Sequence, residues 1–201
     1  MQILTVRSIK FLISILYWFV WRQPEFAFLC ADFGWRTFYF YGLRWHMEFG
    51  NEVYRIAFVG HREVYDARRL EEEIEKIAKD SMFMYDFVEF YLGRNGEFDL
   101  LAASVLKRIQ KSTARQNSTL ILVLPYHVKD EAYYETYYDA ICYPNAPKVH
   151  YRAAITKRNE FMIDHADLLV AFVDTPSGGA YQAMRYAEKQ GVPIRNLGKL
   201  S

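Results

Sequence analysis

Ile56-Ala57-Phe58-Val59-Gly60-His61-Arg62 is an unbroken apolar run that stops at a glycine and passes straight into polar residues. A run this short, without alternation, predicts a strand covered on both faces, as in a parallel sheet packed between helices. Residues 66–80 follow with Leu70, Ile74, Ile77 and Ala78 at helical spacing on a charged background. The same order returns downstream, where Leu168 to Val173 is apolar, Ser177-Gly178-Gly179 follows, and Gly179 to Gln190 reads as a helix. A strand ending in glycine just before a helix leaves backbone N–H groups aimed above the sheet edge, where an anion can bind.

Between these stretches the strand and helix signals alternate. Phe87 to Leu92 reads as a strand, and Gly93-Arg94-Asn95-Gly96 as a turn. Asp99 is placed to cap a helix carrying Leu101, Val105, Leu106 and Ile109. Thr119 to Leu124 is a strand stopped by Pro125. Glu131 to Ile141 reads as a helix with tyrosine pairs Tyr133/Tyr137 and Tyr134/Tyr138. Lys148 to Tyr151 is a short strand or extended link, and a helix runs from about Ala153 to His165. Gly191 caps the last helix before a final strand, Val192 to Leu197. Such repetition predicts a Rossmann-like three-layer α/β sandwich with a mainly parallel sheet. Ligands of these sheets collect at the strand C-terminal ends, where all three glycine loops fall.

The chain has 201 residues and a formal charge of +1, so no global basic field points to nucleic acid, and the expectation is no direct nucleic-acid signature. Cys30 and Cys142 form no metal or redox spacing; no metal and no cofactor is expected, and a reducing cytoplasm suits them. Aromatic residues make up 17% of the chain and crowd into residues 11–48. Phe11 to Trp21 is shorter than the ~20 residues a stable membrane span needs, and no small-x-small cleavage site follows it. Residues 1–50 are read as an atypical aromatic-rich extension, and 51–201 as the α/β domain. Residues 1–46 are an over-extended reading frame with the natural start at Met47, a membrane-associating segment, or an extra packed element; the first is favoured.

Among residues able to carry chemistry, Gly60-His61-Arg62 is either a turn or an anion site, in which Arg62 would hold phosphate oxygens bidentately. In Gly93 to Asp99, Glu97 is the better candidate for ligand contact or for a catalytic base, with Asp99 read as the cap. Arg158 shares a helical stripe with Ile155, Met162 and His165, which turns it towards the sheet. An arginine there needs an anionic partner, either a buried carboxylate such as Asp167 or Asp174, or a bound ligand; Asn159 lies beside it. Ser177, Gly178 and Gly179 let a ligand approach the backbone, although the Walker lysine and frame are missing. His127, His150 and His165 show no metal spacing.

Together Ile56–Arg62 (IAFVGHR), Gly93–Asp99 (GRNGEFD), Ile155–Asp164 (ITKRNEFMID) and Asp167–Ala187 (DLLVAFVDTPSGGAYQAMRYA) resemble the SLOG superfamily, and within it the small YpsA-like proteins. The resemblance spans about Arg55 to Leu197. It implies a Rossmann-like fold with a nucleotide-type ligand at the strand ends, surrounded by Gly60, His61, Arg62, Gly93, Glu97, Arg158, Asn159, Gly178 and Gly179; Gly96 and Ser177 complete the candidate loops. Some relatives are phosphoribohydrolases, but the catalytic glutamate of their double-glycine motif is missing from Ser177-Gly178-Gly179-Ala180, where Tyr181-Gln182 follows. Others sense nucleotide-derived signals in stress, DNA uptake or defence. The expected function is therefore binding or sensing of a nucleotide-derived phosphorylated small molecule, with a nucleotide or N-glycosidic hydrolase as the alternative. A homo-oligomer is left open.

Overall fold

A computed structural model describes residues 37–40, 43–46, 53–129, 131–144 and 151–199. The chain divides into two units, Met1–Phe49 and Gly50–Ser201. In the first, β1 (Thr37–Phe40) pairs antiparallel with β2 (Leu43–His46), with Thr37 opposite His46 and Phe40 opposite Leu43. The sequence reading assigned no element here, because aromatic residues fill both parities of the segment and erase the alternation that marks a strand. Their β propensity was the usable signal. The readings of residues 1–36 and of Met47 lie outside the described residues.

The second unit holds β3 (Val53–Gly60), α1 (Ala67–Met84), β4 (Phe87–Leu92), α2 (Glu97–Ser112), β5 (Ser118–Val123), α3 (Glu131–Glu135), β6 (Ala140–Cys142), α4 (Tyr151–Asp164), β7 (Leu168–Phe172), α5 (Gly178–Gln190) and β8 (Ile194–Asn196). Its six strands are all parallel, in the order β6-β5-β4-β3-β7-β8. The strand order reverses between β3 and β7, so a crevice opens there at the carboxyl ends. This is the Rossmann-like α/β architecture.

Alternation along β3 sorts its side chains between two cores. Ile56 and Phe58 join Leu70, Ile74, Phe98, Leu106 and Phe172 on the side of α1 and α2. Ala57 and Val59 join Met162, Ile163, Ala183, Met184 and Ala187 on the side of α4 and α5. Small residues on the second face let those helices lie close to the sheet. Gly191, at φ 71°, terminates α5 in the left-handed conformation, and its N–H reaches Ala187 and Glu188 carbonyls.

One predicted helix is corrected. Glu131 to Ile141 is helical only to Glu135, and Ala140 to Cys142 is an edge strand instead. Asp139 forces the change. Its carboxylate accepts the Leu120 N–H at 2.9 Å, Gln110 Nε2 at 2.6 Å and Lys107 Nζ at 3.0 Å, while its own N–H donates to the Leu120 carbonyl. Long-range bonds of this kind outweigh local helix preference. Among the described residues, no helix is long and apolar enough to cross a membrane.

Candidate functional site

The rim begins where β3 ends. A Cβ on Gly60 would collide with the Phe98 ring, so glycine is what lets the first turn of α2 cross the strand end. Phe98 in turn stacks on Phe172 of β7, with ring centroids 5.7 Å apart. The His61 N–H donates to the Phe172 carbonyl at 3.0 Å, and its Nε2 lies 3.2 Å from Asp174 Oδ1 and 3.3 Å from Thr175 Oγ1. His61 therefore ties the β3 loop to the β7 loop.

Arg62 is exposed. Its backbone is clamped: the Glu97 N–H donates to the Arg62 carbonyl at 2.9 Å, and a Cβ on Gly96 would lie 3.1 Å from Arg62 Cα. The Glu97 carboxylate accepts the Val64 N–H at 2.9 Å. The first carboxylate of α2 thus holds the 61–64 loop and also sits favourably at a helix N-terminus.

Asp99 is not the N-cap. Gly96 occupies that position, and Asp99 is the third helical residue, where its Oδ2 accepts the Asn95 N–H at 3.0 Å. Only 5% of Asp99 is exposed. Burial pushes its carboxyl up to about 6, opposed by the Arg158 charge and by the Asn95 N–H.

Arg158 packs against the sheet as its stripe predicts, at 5% exposure, with Asn159 at 6%. His165, assigned to the same stripe, is instead exposed and bonds the Phe161 carbonyl through Nδ1. Neither Asp167 nor Asp174 is the arginine's partner: Asp167 accepts the Arg55 N–H at 2.9 Å, and Asp174 faces His61. The Arg158 Nε and Nη2 donate to Asn159 Oδ1 at 3.1 and 2.8 Å. Its Nη1 is buried and has no hydrogen-bond partner among the described residues. A Cβ on Gly93 would strike that same Nη1 and lie 2.5 Å from Asp99 Oδ2. Burial lowers the guanidinium's pKa, countered first by Asp99 and then by Tyr126. A buried Nη1 group left unpaired is costly.

Among the described residues, Ser177 precedes α5 with no side-chain cap, Gly178 stands at φ 83°, and nothing crowds Gly178 or Gly179. Gly179 and Asn159 both border a cleft of about 270 Å³ between α4 and α5. The fold thus interlocks Gly60, His61, Arg62, Gly96 and Glu97, and separately gathers Gly93, Arg158 and Asn159. Arg62 meets the Gly93–Gly96 loop at one end through its backbone, whereas Arg158 meets the other through its side chain. Asp99 was missed as the carboxylate facing Arg158. Its spacing to Ala102, Leu106 and Ile109, all buried, was the available signal.

No protein-family model matches the chain, and no curated protein does. Solved structures do match. One concerns the single-stranded DNA binding mode of DNA processing protein A from Helicobacter pylori, with a TM-score of 0.51 and 14% identity over 71% of this chain. By fold, the chain resembles DNA processing protein A. The protein of that name from Streptococcus pneumoniae matches with a TM-score of 0.54 and 13% identity over 72% of this chain. The chain spans only 64% and 50% of those two proteins. The likeness carries the Rossmann-like fold that the SLOG resemblance implied.

It also overturns two expectations. A small-molecule nucleotide ligand, with its hydrolase alternative, and the lack of a nucleic-acid signature both give way, because the Helicobacter pylori protein of similar fold is described by its single-stranded DNA binding mode. The error has a physical source. A net charge of +1 averages over the whole surface and says nothing about charge at any one place on it. Glycine turns and a buried arginine suit a phosphate in a polymer as well as one in a mononucleotide.

Proposed function

We propose that residues 51–201 form a cytoplasmic domain that binds single-stranded DNA across the C-terminal edge of its sheet. The observation that carries this reading is the buried Arg158 Nη1, which has no hydrogen-bond partner among the described residues and packs against Gly93. In the proposal a backbone phosphate takes an N–H of that group, while Gly178 and Gly179 at the start of α5 and the exposed Arg62 receive neighbouring phosphates. His61 and Glu97 hold the loops in position, and Asn159 orients the guanidinium. Within the SLOG superfamily, the four motifs support a YpsA-like placement.

Fluorescence anisotropy of a labelled oligothymidine tests the reading. The wild type binds, its affinity falls with rising salt, and Arg158→Met weakens binding at least about tenfold, as expected for a lost charge-assisted bond. Circular dichroism of the variant verifies its fold. Failure of the wild type to bind at low salt, or equal affinity of a folded Arg158→Met, overturns it.

A further inference from the structure

The carboxyl end of the sheet also carries exposed aromatic rings outside both described cores. Tyr126 follows Pro125 at the carboxyl end of β5 and is 52% exposed; Tyr133 on α3 is 71% exposed. Both belong to the rim by topology, since β5 lies beside β4 and α3 follows the β5 loop. A chain of contacts joins Tyr133 to Arg158. Arg94 directly follows Gly93, against which Arg158 packs, and its guanidinium lies 5.0 Å from the Tyr134 ring centroid and donates to the Tyr134 hydroxyl. Tyr133 meets Tyr134 edge to face, with centroids 5.4 Å apart.

We infer that Tyr126 and Tyr133, with the Arg94–Tyr134 pair between rim and helix, form a stacking platform for the bases of a single strand whose phosphate occupies the Arg158 seat. This rests on the DNA-binding reading above and adds what that reading lacks, namely contact with bases. Exposed rings beside a cation are the composition of a sequence-tolerant single-strand surface, because every base offers a π face. A duplex keeps its bases stacked inside and cannot use such a platform. Arg94 holds Tyr134 in place, and Tyr134 in turn braces the exposed Tyr133.

The test compares a labelled oligothymidine with an abasic strand of the same length and charge, using the full chain. The wild type prefers the base-bearing strand at least about fivefold, the lower end for one stacked base. A Tyr126→Ala/Tyr133→Ala variant loses that preference and keeps its affinity for the abasic strand, whereas Arg158→Met weakens both. Tyr126→Phe/Tyr133→Phe retains the preference, because the π face and not the hydroxyl is what binds. Equal wild-type binding of the two strands, or an unchanged preference in the alanine variant, overturns the platform and leaves the phosphate seat standing. Binding of neither strand by the wild type removes the DNA reading itself, and the platform with it.

Discussion

Arg158 and Asp99 face the same point above Gly93, one from α4 and the other from the first turn of α2. Both are buried, and among the described residues the arginine's Nη1 group has no hydrogen-bond partner. Opposite charges taken out of water are stabilising only when their remaining hydrogen bonds are met. Here, among the described residues, the Arg158 Nη1 group is left without one.

Gly93 is the hinge of that arrangement. In Gly93→Ala the added methyl strikes Arg158 Nη1 and Asp99. Overpacking of this kind costs about 1–3 kcal/mol. Urea unfolding should show that loss together with weakened oligothymidine binding; full stability with full binding would contradict the packing described here.

Asp99 makes stability depend on pH in an unusual direction. Its folded value of about 6 exceeds its ordinary 3.8, so between them the folded state holds a proton that the unfolded chain has released. This group's contribution therefore falls as pH rises from about 4 to 6, by roughly 3 kcal/mol in all. Asp99→Asn should be more stable than the wild type at pH 7.5, with the difference closing near pH 4. Urea titrations across that range measure it. A difference that does not vary with pH would refute the assignment.

Glu97 holds the Val64 N–H rather than standing free. Glu97→Ala should lose ~1 kcal/mol of stability by urea unfolding, whereas Glu97→Gln, which keeps an acceptor oxygen, should lose much less. Equal losses would place its contribution in charge alone.

Gly60→Ala should destabilise by about 1–3 kcal/mol, because its Cβ meets the Phe98 ring. Adding Phe98→Leu should recover part of that loss by making room. No recovery in the double variant would show that the collision is not the cause.

Asp139 secures the edge strand. Burial would raise its carboxyl, but the Leu120 N–H, Gln110 and Lys107 outweigh that and hold it below the ordinary range. Asp139→Ala should cost about 1–3 kcal/mol and speed exchange of the Leu120 amide. Unchanged exchange would argue that β6 pairs without it.

The apolar runs Ile56 to Val59 and Leu168 to Val173, the Leu70/Ile74/Ala78 stripe and the glycine at 191 determined the layered α/β fold without any coordinates, because burial on both strand faces and helical periodicity are local signals. The inward turn of Arg158 was legible in the same way. Its neighbours were not. Asp99 lies 59 positions away in sequence, and only the crossing of α2 over the end of β3, permitted by Gly60 against Phe98, brings that carboxylate to the arginine. Long-range bonds of Asp139 likewise turned a predicted helix into strand β6. Local patterns report which face is buried, whereas the partner waiting on that face is chosen by how separate elements pack.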